Sequence, residues 1–495
     1  MVTTYVEGPA PVTQQQQQQD IVYIKTEQPP PVVYVAATRP TAPPPPPATT
    51  TIVVVQKNRG PSVINLSFFL LTYGGMDLGQ SLGLNVASTT FIPTPQFFYS
   101  WFIGFIVGAL LASVGVSHLP KIVFYILSCI LELVDAILFV SSHDYKCFLA
   151  ARYLGGAGIG VLTVAYLMHS SEVCLRTNRG VLTGAEQASL TFGIGFEAIY
   201  GAFWADTVID SFNLVHGIIG IVFVVISFLC TVFTVIESPI YHLRRGDEVK
   251  ARQCQLKLSL TNQSCTRIFN EAKRYVQEDE SQSLGQQIGG SVIPFVKVLL
   301  LRCFVAFSIS LPLVVSLEWS SAVSMRWYLW PMITSGVLRI IGSFISLSVL
   351  DKVGRKLVTL VALFCMAVLM ISMAGIYGTV TDAYSMRQVS NLGMAFQFFA
   401  GLYVCSSSTY LTEAFPLKVK PYSIALIVCI EQVIHIIVIM CFKIGGNILF
   451  RYFLAVGILL LLGLIVLAVL MPETKQMTLR EAGQRFRQTY DIKMY

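Results

Sequence analysis

The chain has 495 residues, 54% of them hydrophobic and only 12% charged, with a formal net charge of +7. That balance excludes a soluble globular protein and describes a chain that crosses a membrane many times. The basic excess is the one membrane topology requires, so no nucleic-acid partner is expected, and no nucleotide loop, metal cluster or triad spacing marks an enzyme, a cofactor or a metal.

Residues 1–60 hold six glutamines, Gln14 to Gln19, and proline runs at Pro29–Pro31 and Pro43–Pro47, without a periodic apolar face. A disordered tail is expected there, its partners unidentified. From residue 61 onward the chain reads as about twelve stretches of the roughly 20 apolar residues that hydrocarbon requires. They lie near 64–85, 97–117, 121–141, 147–168, 181–204, 214–236, 296–318, 328–350, 357–378, 391–411, 422–442 and 449–471. A polar loop, 237–295, separates bundles at 61–236 and 296–471, and 472–495 forms a second tail. The expected fold is an all-α integral membrane protein with twelve transmembrane helices in two six-helix bundles. Short interfacial helices are expected near 247–260 and 265–279. The 11 cysteines are dispersed, mostly in apolar segments, and read as small buried hydrophobes.

Basic residues set the orientation. With the first residue inside, the inner segments collect Lys57, Arg59, Lys121, Arg176, Arg179, Lys297, Arg302, Lys352, Arg355, Lys356, Lys418 and Lys420, against few outside. Both termini are therefore expected in the cytoplasm.

The most patterned stretch runs from Ala151 to Gly193. Gly156 and Gly160 are four apart, with Gly155 and Gly158 adjacent, so one face of the fourth span has almost no side chains and a second helix can approach closely. Glu172, Arg176 and Arg179 follow in a turn that belongs at a membrane surface. Gln187 then re-enters the apolar phase, where an amide needs a partner or a ligand. A similar turn, Glu413 to Lys420, follows the tenth span.

Taken in order, Ala151-Arg152-Tyr-Leu-Gly-Gly, Ser171-Glu172 with Arg179-Gly180, Gln187 with Gly193, Glu237-Ser238-Pro239, Asp351-Lys-Val-Gly354-Arg355-Lys356, Glu413-Ala-Phe-Pro416 and Pro472-Glu473-Thr474-Lys475 resemble the sugar-porter branch of the major facilitator superfamily, over about residues 64 to 476. The resemblance implies alternating access, with a small polar solute held near mid-membrane between two rocking halves. It also implies that Glu172, Arg176, Arg179 and Glu237 on one half, and Asp351, Arg355, Lys356, Glu413 and Lys420 on the other, latch the inner gate. The plasma membrane is the expected location.

The chain departs from this family at the centre. The positions of two sugar-binding asparagines fall on Arg339 and Glu431, a tryptophan position falls on Ser408, and of the usual sugar ligands only Gln187 remains. Gln187, Arg339, Glu431, Ser408 and Ser310 form the candidate substrate-binding set. A lone charge at mid-membrane costs at least about 2.5–3.5 kcal/mol, so Arg339 and Glu431 are expected to pair, with His435 one turn beyond Glu431. Asp77 resembles the acid of proton-coupled relatives, and Arg152 the arginine that pairs with it. Glu132 with Asp135, and Glu186 with Glu197, add further acids. Three readings stay open: a carrier of a small polar, sugar-like solute with possible proton symport, a carrier of a charged organic solute using Arg339 and Glu431, and a non-transporting sensor of the same fold.

Overall fold

The computed structural model describes residues 62–84, 93–142, 144–204, 210–258, 262–324, 329–379, 382–443 and 445–492. The expected disordered tail, 1–60, lies outside the described residues. Among them every regular element is a helix. In chain order these are α1 (Ser62–Ser81), α2 (Pro95–Gly115), α3 (Lys121–Ser141), α4 (Tyr145–Val173), α5 (Arg179–Trp204) and α6 (Asp210–Thr234). Then come α7 (Pro239–Leu243), α8 (Glu248–Leu258), α9 (Asn262–Ser281), α10 (Leu284–Ser308), α11 (Leu311–Ser324) and α12 (Leu329–Leu350). Last are α13 (Arg355–Thr379), α14 (Ala383–Glu413), α15 (Lys420–Cys441), α16 (Gly446–Leu470) and α17 (Leu479–Arg487).

Among the described residues ten spans are long and apolar enough to cross a membrane, with α10 and α11 counted together. Adding α1 and α5, which bring in the buried polar residues Asp77, Gln80, Glu186 and Glu197, makes twelve. The two sets of six pack alike. In the first, α1 packs on α5, α2 on α4 and α3 on α6; in the second, α10 packs on α15, α12 on α14 and α13 on α16. Across the middle α5 meets α12 and α2 meets α15, which are corresponding helices again. This is the pairing expected of two parallel repeats related by an axis along the membrane normal.

Two glycine faces on α4 do different things. A Cβ on Gly156 or Gly160 would strike the backbone carbonyls of Trp101 and Phe105, so these two let α2 and α4 touch backbone to backbone. Gly155 and Gly158 instead face carboxylates: a Cβ would lie 2.9 Å from Asp77 Oδ2 at the first and 2.6 Å from Glu132 Oε1 at the second.

The seventh span differs from the continuous helix expected at 296–318. It starts earlier, at Leu284, and breaks after Ser308, where Ile309 is extended (φ −149°, ψ 136°). The break fits Pro312, which has no N–H for the Ser308 carbonyl four residues back and whose ring crowds it, so the helix restarts with Pro312 in its first turn.

On one face of the bundle α7, α8 and α9 form a small layer with its own core, including Ile240, Leu243, Phe269 and Val276. The Asp279 carboxylate accepts the Leu417 N–H (2.9 Å), tying α9 to the second half. Burial pushes that carboxyl above its usual range. α17 starts on a capping box, with Glu481 and Thr478 bonded to each other's backbone, and the Thr478 N–H holds the Glu481 carboxyl below its usual range.

Candidate functional site

The centre of the molecule is organised around Arg302 on α10, which is 1% exposed. Its Nε donates to the Glu431 carboxylate of α15. Its Nη1 donates to Ser407 Oγ (2.9 Å) and Ser408 Oγ (3.0 Å) of α14. Its Nη2 lies 3.6 Å from Glu186 Oε1 of α5, in the other half. Ser408 also donates to Glu186 Oε2 (2.5 Å), and Gln187 Nε2 donates to Glu186 Oε1 (3.1 Å). One guanidinium thus joins a carboxylate of the first half to a carboxylate of the second. Removing it would leave two buried charges without compensation.

Arg339 and Glu431 do not pair as expected. Arg339 donates instead to the Ser308 carbonyl (3.0 Å) and to Gln397 Oε1 (2.9 Å). The reason is the break after Ser308: it ends the helix of Arg302 at the centre, so Arg302 reaches Glu431 and the freed Ser308 carbonyl takes Arg339. Ser310 is likewise turned away, its hydroxyl held by Tyr452 (2.7 Å). His435 stacks on Phe102 across the halves at 4.8 Å.

Gln187, Arg302, Arg339, Glu431 and His435 line a cavity of about 20 Å³ together with Trp101. A single water needs roughly 10–15 Å³. The cavity therefore has room for about one water and is too small for a hexose, so the centre is closed around its polar groups.

A second cluster lies wholly within the first half. Asp77, Glu132, Asp135, Arg152, Glu197 and His216 are all 0% exposed. Arg152 Nη1 lies 3.8 Å from Asp77 Oδ1, while its Nη2 donates to the Asp77 carbonyl (2.7 Å) and Nη1 to Gln80 (3.1 Å). His216 lies 3.1 Å from Asp77 and 3.5 Å from Glu197, and Tyr73 donates to Asp135 (2.8 Å). Four carboxylates thus face one arginine and one histidine. Among the described residues, Asp77, Glu132 and Asp135 alone place three carboxylate oxygens within 4.8 Å of one another, a spacing able to hold a metal ion.

At the end of the bundle nearest α7 to α9, charged groups join the halves. Arg179 Nη1 lies 3.4 Å from Glu413 Oε1 and donates to the Met477 carbonyl (2.9 Å). The Gly180 and Val181 N–H groups, at the start of α5, both donate to Asp351 (3.0 Å each). Two amides at a helix N-terminus facing a carboxylate are favoured by the helix dipole as well. Lys420 Nζ donates to Ser171 Oγ (2.7 Å). Arg355 bonds Glu413 and sits 3.4 Å from Asp351, fixing both acids.

Not every expected latch residue crosses the halves. Glu172 and Glu237 pair with Lys121 of their own half, at 3.3 and 3.7 Å. Lys121, at the start of α3, therefore joins the end of α4 to the segment after α6. Lys356 bonds the Asp491 carbonyl (2.5 Å) in the C-terminal segment, and Arg176 is exposed.

Reading the sequence as topology hid Arg302, which was counted among the inner basic residues although it lies six residues inside the expected span 296–318. His216 and Gln80 were also missed. Each is a lone polar residue in an apolar stretch, and only the approach of α1 to α6 reveals a shared site.

The chain matches the family model described as "Sugar (and other) transporter" over residues 87–486. It is 23% identical over 370 residues to Hexose transporter 1 of Plasmodium knowlesi, covering 69% of this chain and 72% of that one. It is 21% identical over 371 residues to the galactose-proton symporter of Escherichia coli K12, covering 70% and 77%. A solved structure of the major facilitator proton:xylose symporter XylE, bound to 6-bromo-6-deoxy-D-glucose, has the same fold: TM-score 0.69, 19% identity, 86% of this chain and 100% of that one. With four-fifths of its length under one family model, this chain belongs to the sugar (and other) transporter family.

Proposed function

We propose that this protein is a proton-coupled secondary carrier of a small polar, hexose-like solute, working by alternating access in the plasma membrane with both termini in the cytoplasm. The observation that carries the reading is a set of contacts joining the halves at the end where α7 to α9 lie: Arg179 to Glu413, and Asp351 to the amides of Gly180 and Val181. Such contacts break and re-form as the halves rock, and they close the cytoplasmic gate in this conformation. The central groups support a polar cargo. Arg302 and Arg339 balance Glu186 and Glu431 in formal charge, so a hydroxyl-rich solute could exchange hydrogen bonds with them without burying a net charge. Proton coupling rests on Asp77 and Arg152: protonating the acid would weaken its hold on the arginine and on His216.

One observation favours the second reading, a charged organic solute. Among the described residues the hydrogen-bond partners of Arg339, Gln397 and Ser308, are neutral, so a carboxylate on the cargo would meet a cation with no carboxylate bonded to it.

Uptake of labelled hexoses, organic anions and organic cations into proteoliposomes, with and without an inward proton gradient, tests both. Gradient-driven hexose accumulation is expected, and Asp77→Asn should abolish accumulation while leaving counterflow exchange. Accumulation that persists in Asp77→Asn removes Asp77 from the coupling mechanism. Anion uptake lost in Arg339→Gln, with no hexose uptake, would establish the second reading instead.

A further inference from the structure

A cavity of about 250 Å³, far larger than the central one, lies at the end of the bundle where α7 to α9 sit. Its walls come from three separate parts of the chain: the α4–α5 turn, helices α7 and α9, and the final helix α17. Four arginines line it, Arg176, Arg179, Arg267 and Arg480, against two glutamates. One of these, Glu172, already faces Lys121 at 3.3 Å. The remaining surface includes apolar groups such as Ile240 and Ile268.

The arginines have donors to spare. Arg176 and Arg267 are exposed and make no ion pair within 4.0 Å among the described residues, although the field of Arg176 reaches Glu481. Arg480 shares one contact with Glu278 (2.8 Å). Arg179 is buried, and its Nε has no hydrogen-bond partner. Planar guanidinium groups converging on one cavity are suited to phosphate, which accepts two donors from each. The volume falls below the roughly 300 Å³ of drug-sized sites, so the fitting ligand is small.

We propose that this cavity is a regulatory site for a small phosphate-bearing anion, and that its occupant holds the gate beside it closed. Arg179 is the physical link, because it lines the cavity and also bonds Glu413 of the opposite half and the Met477 carbonyl just before α17. If the gate opens by moving Arg179 away from Glu413, the arginines separate, so an anion bound among them favours the closed arrangement. This effect on the gate rests on the transport reading, whereas the binding itself does not. Two sources supply the same chemistry: a soluble phosphate compound, or the headgroup of a phosphorylated lipid reached from the end of α4.

The test uses the full-length protein in phosphatidylcholine nanodiscs, with binding read by thermal unfolding and gate closure by hydrogen exchange at residues 179–183. Inorganic pyrophosphate is added to one arm, and about 5% phosphatidylinositol 4-phosphate is included in the discs of the other. The expected result in at least one arm is a raised Tm and slower exchange, with affinity reduced about tenfold or more in the double variant Arg267→Ala/Arg480→Ala. Response to pyrophosphate assigns a soluble ligand, and response to the lipid alone assigns a headgroup. No response in either arm up to about 10 mM pyrophosphate overturns the site, as does an equal response in the double variant. Binding is read without uptake, so a chain that carries nothing would still report the cavity.

Discussion

Arg302 shows how one side chain sets the chemistry of a buried site. It neutralises Glu431 and approaches Glu186, both almost wholly excluded from solvent. Replacing it with alanine strands two carboxylates, and breaking a buried pair in this way costs about 3–5 kcal/mol. Arg302→Ala is therefore expected to lower the unfolding temperature strongly in detergent. Glu431→Gln should cost much less, because the amide keeps an acceptor for Arg302 and Glu186 keeps its attraction. Equal losses for the two would mean that the Glu431 charge carries the whole effect and that Glu186 is not stranded by the loss of Arg302. Arg302 escaped the sequence because a count of basic residues by segment cannot separate a charge at the membrane surface from one six residues deeper on the same helix.

At the scale of the element, α4 was the most legible helix. Its glycines called for close approach, and the backbone contact with α2 meets that need at Gly156 and Gly160. Gly156→Ala would set a methyl against the Trp101 carbonyl, which cannot move as the end of a side chain can, so α2 and α4 must part. We expect sharply reduced folded yield by size-exclusion chromatography for this variant, and near-normal yield for Gly285→Ala, where a Cβ meets open space. The second face of the same helix was not legible. Gly155 and Gly158 leave room for Asp77 and Glu132, which come from α1 and α3, and no spacing within α4 states that. The break between α10 and α11 is similar. Pro312 marks it in the sequence, but its consequence, the exchange of partners between Arg302, Arg339 and Glu431, depends on three other helices.

At the scale of the molecule, the halves are joined by few polar contacts at the end where α7 to α9 lie. The Arg179–Glu413 pair among them is buried, so parting the halves here must bring water to both charged groups, which offsets part of the attraction lost. Asp351 is the most informative member, because it receives two backbone amides from the other half and is held by Arg355. Asp351→Ala should release the start of α5 and speed hydrogen exchange at Gly180 and Val181, while α16, remote from the contact, keeps its protection. Unchanged exchange at those amides would show that the halves are held together elsewhere.

The amino-acid sequence by itself determined the membrane class, the twelve spans, their division into two similar halves and the family. These follow from composition, from runs of apolar length and from short motifs, all of which are local properties. The tertiary structure alone decided which buried charges meet. A helix carries a charged side chain inward by its own periodicity, but the partner is chosen by the neighbouring helix that arrives opposite it. For Glu431 that neighbour is α10 with Arg302, and for Asp77 it is α4 with Arg152 together with α6 and His216.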